Sequence, residues 1–463
     1  MKSIRKICAN AALVFILCIS MSVSVFAETE TETSSVSSSE EDSSEEISAE
    51  TETESSSSDL TWPEAPEITS GTALIIDSTT GAVLYSQNAD ETVYPASTTK
   101  LLTCLIALEN CSLDETVTFS ATAVDIDSDA SSIDAVEGEQ MSLEDALYGL
   151  MLPSGNDCAN AIAEHVAGSI EAFVELMNEW VEDLGCTGTH FTNPSGLHDE
   201  DHYTTASDMY LIAKAAFSNS TLVDIISHSS YTIPATNMSE ERELSTSNYL
   251  INSSSSYYNS TVVGGKTGYT SQAGRALVIL SEQDNMKLIC LFYDCPYYEG
   301  VFSDAQDMLD YIYNNFSIVN ISEEETRFSS SFEDAKIELD STASIVIPNS
   351  FSLSDLDSEI IFATDMDAEE FGDAKLDAGI TTQDGNHLYA SIEYYYEENY
   401  LGNVYVLIND NLEITKSSFA SVYYIDFRYA VCAAAAALII LFILIRIAAR
   451  KNKKRSKASG NSR

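Results

Sequence analysis

Between Thr72 and Tyr293 the chain runs strand, then helix, then strand again, and that order constrains its fold class most. Thr72–Asp77 (TALIID) and Ala82–Ser86 (AVLYS) flank a Ser-Thr-Thr-Gly turn and read as a β-hairpin. Pro95 stands where helices accept a proline, and Leu101, Leu102, Leu105, Ile106 and Leu108 make a densely apolar helix behind it. Residues 143–152 (LEDALYGLML) predict another helix, capped by Ser142 and stopped by Pro153. More helices are expected at about 157–168, 170–184 and 206–217. Strands return at about 261–269, 275–282 and 286–293, the last two joined by a Gln-Asp-Asn turn. Strands on either side of a helical block argue an α+β domain over 61–317. From 318 to 424 short alternating segments such as IELDSTASIVI and LYASIEYYY predict a separate, small β-sandwich-like domain.

The two ends read as address and anchor. In residues 1–27, Lys2, Arg5 and Lys6 precede an apolar run, and Val25-Phe26-Ala27 offers small residues at a cleavage site, so a signal peptide is expected. Residues 28–60 are almost entirely Glu, Thr and Ser, too polar to offset ordering entropy, and read as a disordered acidic tail. Tyr429–Ile445 is an uninterrupted apolar run of 17 residues. Taken over 429–449 it spans about 30 Å at ~1.5 Å per residue, the length of a transmembrane helix. Residues 450–463 are basic, and cations beside a membrane segment mark the cytoplasmic side. The expected topology is a folded body outside the cell membrane, with the 318–424 region as its pedestal.

Charge excludes one class of partner. The formal net charge of −51 conceals eleven basic residues in the two ends, so residues 28–445 set the other eleven against all 73 acids, a balance of −62. Nucleic-acid binding requires Lys and Arg to neutralise phosphates, so no nucleic-acid partner is expected. Of nine cysteines, six lie between the ends: Cys104, Cys111, Cys158, Cys186, Cys290 and Cys295. Their spacings match no zinc pattern, and they read mostly as small core residues.

Three short motifs carry chemistry: Ser97-Thr98-Thr99-Lys100, Ser154-Gly155-Asn156 and Lys266-Thr267-Gly268. Ser-Gly-Asn alone is weak, since it recurs at Ser459-Gly460-Asn461. The lysines are the stronger clue. Between Thr61 and Phe316 there are six cations (Lys100, Lys214, Arg242, Lys266, Arg275, Lys287), and two of them fall inside motifs. A serine hydroxyl needs a base within hydrogen-bond reach, and residues three apart on a helix share a face, so Lys100 can serve Ser97. Lysine acts as a base near neutral pH only if desolvation and a nearby cation lower its pKa, and Lys266 is the candidate cation. A helix N-terminus at Ser97 would also favour developing oxyanion charge.

The order Ser-x-x-Lys, Ser-x-Asn, Lys-Thr-Gly resembles the penicillin-recognising serine enzymes. The surrounding text, Tyr94-Pro95-Ala96 before Ser97, Leu152-Pro153 before Ser154, Asn193-Pro194-Ser195-Gly196-Leu197, and Gly265 to Thr270 with Ala273-Gly274 behind, is similar to the low-molecular-mass penicillin-binding proteins, the D-alanyl-D-alanine carboxypeptidases of peptidase family S11. The resemblance covers about 65–317 and implies a β-lactamase-like transpeptidase fold, an antiparallel sheet with a helical block. It implies that Ser97 attacks the carbonyl between the two terminal D-alanines of a peptidoglycan stem peptide, with Lys100 as base and Ser154 passing a proton to the leaving amine. Asn156 would bond the substrate backbone, Lys266 and Thr267 would grip the terminal carboxylate, and the N–H groups of Ser97 and Tyr269, beyond Gly268, would form the oxyanion hole. No cofactor or metal is implied, and β-lactams would be trapped at Ser97.

The same acyl-enzyme serves D,D-endopeptidases and transpeptidases, which differ only in leaving group or acceptor. A class A β-lactamase would add a Glu-x-x-Leu-Asn element, which Glu175-Leu176-Met177-Asn178 does not supply. His198-Asp-Glu-Asp-His202 superficially suggests a metal site, but the resemblance makes it a loop beside the cleft.

Overall fold

The computed structural model describes residues 61–325, 337–340, 342–362, 387–397 and 399–408. The expectations for 1–27, 28–60, 429–449 and 450–463 lie outside the described residues. Among the described residues no helix is long and apolar enough to cross a membrane.

The expected hairpin forms from β1 (Thr72–Asp77) and β2 (Val83–Gln87), with a register shift between Ile75 and Ile76. A lone hairpin is marginal in water. Here β1 also pairs, antiparallel, with a strand some two hundred residues later, Ile75 opposite Cys290. The later strands are β3 (Val262–Thr270), β4 (Gly274–Gln283) and β5 (Met286–Cys295), and the antiparallel sheet has the order β2-β1-β5-β4-β3. The two halves of the strand text thus interlock, and the helical segment between them folds onto one face.

Side-chain alternation explains why these strands are apolar throughout. Leu74, Ile76, Val278, Leu280, Ile289 and Leu291 face the helical block. Ala73, Ile75, Leu277, Ile279, Leu288 and Phe292 face a second cluster on the other side. Both faces are covered, so neither parity of positions is free to be polar. The block comprises α1 (Lys100–Asn110), α2 (Leu143–Met151), α3 (Asn156–Ala167), α4 (Ile170–Asp183), α5 (Ala206–Ser218) and α6 (Ser220–Ser227). Side chains cap several of them: Ser142 on α2, Ser169 on α4, Thr205 on α5 and Asn219 on α6 each accept from backbone N–H groups.

The second face is covered by α7 (Gly300–Asn315), which was not among the expected helices. Its pattern was readable, because Val301, Phe302, Ala305, Met308, Leu309 and Ile312 share one stripe and are all buried. Beyond it, β6 (Phe316–Asn320) pairs with Ser344–Pro348, and a four-stranded antiparallel sheet forms from Ile337–Leu339, Asn399–Ile408, His387–Tyr396 and Asp357–Phe362, in that order. A third apolar cluster, including Ile345, Tyr394 and Val404, belongs to these strands. Trp62 packs against the second and third clusters together, 5.1 Å from the ring of Phe316 and stacked at 6.0 Å on Tyr396.

Candidate active site

The nucleophile motif sits on a tighter element than the α-helix expected. Ala96–Thr99 form a 3₁₀ turn, and α1 begins only at Lys100. Three residues per turn stack positions i and i+3 almost directly, so the motif's spacing suits this geometry even better. Ala96, a non-glycine, is held at φ +48. Its neighbours hold it there: the Thr98 hydroxyl donates to Pro95 O at 2.7 Å and the Thr99 hydroxyl to Ala96 O at 2.9 Å. Gly196, at φ +83, presses against the same carbonyl so closely that a Cβ there would lie 1.8 Å from it.

Lys100 is completely buried and its Nζ makes three contacts: Ser97 Oγ at 3.0 Å, Asn156 Oδ1 at 2.6 Å and the Ser195 carbonyl at 2.6 Å. The last two partners can only accept. A neutral amine has two N–H groups, so satisfying Asn156 and Ser195 leaves its lone pair aimed at Ser97 Oγ. Burial holds the Lys100 pKa well below the usual lysine range and the positive charge of Lys266 lowers it further, while Cys158 and Asp157 act in the opposite direction. Lys100 is therefore placed and biased to take the Ser97 proton.

The second motif closes the cleft from the helical side. Asn156 opens α3, and its backbone N–H donates to Ser131 O at 2.8 Å. Asp157, 1% exposed, accepts from the Ser132 hydroxyl and from the backbone N–H of Ile133 and Ala135, fixing the loop that forms this wall. Ser154 is held at φ +70, and its buried Oγ has no protein hydrogen-bond partner. Among the described residues only this atom and Asn248 Nδ2 are buried side-chain polar atoms without a partner, and a hydroxyl so placed on a cleft wall is available to a ligand.

The third motif lies on β3, the edge strand, opposite. Gly268 allows the strand to approach the nucleophile turn, since a Cβ there would lie 3.1 Å from both Ser97 N and Pro95 O. Lys266 is 1% exposed, donates to Thr267 O at 2.9 Å, and is pushed down to a pKa of about 7 by burial. The Thr267 hydroxyl shares a 2.6 Å bond with Ser247 Oγ. Tyr269 is 54% exposed at the rim. Ser97, Ser154, Asn156, Thr267, Gly268 and Tyr269 line one cleft of about 690 Å³, while Lys100 and Lys266 are buried behind its wall. All eight sequence-derived site residues converge here.

Several participants lacked a sequence signal. Arg275, at the start of β4, lines the cleft with its guanidinium 3.8 Å from the Tyr269 ring centre and 4.2 Å from that of Tyr298. No carboxylate pairs with it among the described residues, although Arg242 and Lys287 each have one. Ser195 contributes a carbonyl, which no side-chain pattern announces. His198 and His202 part company: His198 packs edge-on against Tyr94, whereas His202 is buried and bonds the Thr99 hydroxyl at 2.9 Å. Four of the six cysteines are buried in the core and all six are free thiols.

Known proteins resemble this chain over the same region. The family model for D-alanyl-D-alanine carboxypeptidases, peptidase S11, matches residues 59–296. The D-alanyl-D-alanine carboxypeptidase DacF of Bacillus subtilis is 31% identical over 53% of this chain and 62% of its own length. DacA of Escherichia coli is 32% identical over 56% of this chain and 64% of its own. The chain thus spans a little under two thirds of these relatives, and 74% of DacB2 of Mycobacterium tuberculosis, at 31% identity. Among solved structures, the Streptomyces K15 DD-transpeptidase is 28% identical with a TM-score of 0.51, covering 54% of this chain and 98% of that one. The fold is that of the penicillin-binding-protein and β-lactamase transpeptidase domains, and the chain belongs to the D-alanyl-D-alanine carboxypeptidase family, peptidase S11.

Proposed function

We propose that this protein is a serine carboxypeptidase that removes the terminal D-alanine from peptidoglycan stem peptides ending in D-Ala-D-Ala. One observation carries the reading: a fully buried Lys100 amine 3.0 Å from Ser97 Oγ, with its other contacts limited to acceptors. Ser97 Oγ attacks the carbonyl carbon of the D-Ala-D-Ala bond as its proton passes to Lys100. The oxyanion lies between the N–H groups of Ser97 and Tyr269. Ser154, whose hydroxyl is otherwise unpaired, relays the proton to the nitrogen of the departing D-alanine. Asn156 orients the acyl portion, and Lys266 and Thr267 hold the substrate carboxylate. Water then cleaves the Ser97 ester and returns the proton to the serine. Arg275 adds to the carboxylate grip, because it is a cleft-lining cation flanked by two aromatic faces and in ion-pair contact with no carboxylate among the described residues.

The chain works outside the cell, held by the apolar run at 429–449 after a signal peptide at 1–27, with the 318–424 region as a pedestal; the basic 450–463 tail supports this orientation. β-Lactams acylate Ser97 in place of substrate. Transfer of the acyl group to an amine instead of water is the second reading, favoured by likeness to a DD-transpeptidase. The test is D-alanine release by the full chain from a peptide ending in Lys-D-Ala-D-Ala, with and without a glycine amine acceptor. Release without acceptor supports hydrolysis. Release only with acceptor shows transpeptidation, and release undiminished in Ser97→Ala defeats both.

A further inference from the structure

At the end of α1 away from the cleft, three side chains of different chemistry meet. Cys111 caps the C-terminus of α1, Glu115 follows in the next loop, and His165 lies in the last turn of α3. Their ligand atoms, one thiol sulfur, one carboxylate oxygen and one imidazole nitrogen, all lie within 4.8 Å of one another. His165 Nε2 is 3.1 Å from Glu115 Oε2. Tetrahedral zinc binds such atoms at about 2.0–2.3 Å, which sets them roughly 3.3–3.8 Å apart. The cluster is therefore near that geometry without backbone movement. Sequence spacing could not reveal it, because His165 lies fifty residues from Glu115.

We propose that Cys111, Glu115 and His165 form a binding site for a divalent transition metal, Zn²⁺ in particular, with its fourth position open to water. The donor set selects the ion class. Thiolate and imidazole favour zinc and its neighbours, whereas Ca²⁺ and Mg²⁺ require mostly oxygen ligands. Glu115 is already oriented: its other oxygen accepts from Ser112 N at 2.7 Å, the kind of outer bond that fixes a ligand. Without an ion, burial and the Glu115 charge both keep the Cys111 thiol protonated, so binding releases that proton to solvent as the sulfur–metal bond forms.

The placement gives the site a purpose. The start of α1 carries Lys100 and the start of α3 carries Asn156, joined to each other at 2.6 Å. Cys111 lies about 16 Å along α1 and His165 about 13 Å along α3, at ~1.5 Å per residue. A metal would pin together the far ends of the two helices whose near ends build the catalytic cleft. It would stabilise their relative position without touching the substrate.

The full chain, stripped with a chelator, is titrated with Zn²⁺ alone and in parallel with Co²⁺. The expected results are a thiolate-to-cobalt charge-transfer band, a Zn²⁺-dependent rise in Tm, and loss of the band in Cys111→Ser. His165→Ala should weaken binding by at least the roughly 10–100-fold that loss of an outer partner causes. Cooperative unfolding of the metal-free variants confirms that they fold. Absence of a cobalt band in the wild type, or a Zn²⁺ response that persists in both variants, overturns the proposal. The trio is then only a His–Glu ion pair beside a thiol, and any zinc is held by the acidic surface at large.

Discussion

Lys100 Nζ stands 3.0 Å from Ser97 Oγ at the junction of a 3₁₀ turn and an α-helix. Both Ser97→Ala and Lys100→Ala should abolish acylation by penicillin. Lys100→Arg should behave like the alanine variant, because arginine keeps its proton. Losing a general base typically lowers rate by about 10²–10⁴-fold. Stopped-flow acylation measures this, with thermal unfolding as a fold control; near-normal acylation by Lys100→Arg would remove Lys100 from the base role.

The pH profile should have a falling limb set by Lys266. Lys266 keeps its charge below about pH 7 and loses it above. Lys100, lowered first by burial and then by the Lys266 charge, must be neutral to act. In kcat/KM, activity therefore rises as Lys100 deprotonates and falls through about pH 7 as Lys266 does. A bound carboxylate favours protonated Lys266, so the falling limb of kcat should lie at higher pH. Lys266→Arg should remove that limb. A limb unmoved by this substitution would assign it to another group.

Stability follows the same shifts with a definite sign. Both lysines have folded pKa values below the unfolded value of about 10.4. Between the two, the unfolded chain binds more protons, so their contribution to stability grows as pH rises from about 7. Replacing Lys266 by Met should flatten the dependence of Tm on pH in that interval.

Ser154→Ala separates function from stability. Its hydroxyl is buried with no protein partner, so removing it forfeits no hydrogen bond. Tm should stay the same or rise, while acylation falls by about tenfold or more. A large drop in Tm would show that the hydroxyl is structural.

Arg275→Gln should lower kcat/KM by about 10–100-fold, the worth of one charge-assisted bond. A substrate with an amidated C-terminus should show no further loss. An equal loss with both substrates would mean that Arg275 only supports the Tyr269 and Tyr298 rings.

Much of this was legible because it is local. The hairpin, the apolar strands and the capped helices follow from period, caps and breakers within a dozen residues, and a motif spacing of three brings Ser97 to Lys100. Most of what escaped is non-local. Nothing near Ser195 indicates that its carbonyl will meet Lys100, since the partners are 95 residues apart. Arg275 reads as one scarce cation among six until β3 and β4 pair and set it between two tyrosines. Helix α7 had a clear apolar stripe, but its acidic residues and preceding tyrosines masked it. A 3₁₀ turn and an α-helix both bring i and i+3 together, so the spacing of Ser97 and Lys100 does not distinguish them.

The central claim is that Ser97 is the residue acylated. Intact-protein mass spectrometry of the full chain after exposure to benzylpenicillin, followed by peptide mapping, tests it directly. The account predicts one penicilloyl adduct per chain, on the peptide containing Ser97, absent from Ser97→Ala and slow to hydrolyse. An adduct on another residue, or labelling of Ser97→Ala at the wild-type rate, would contradict it.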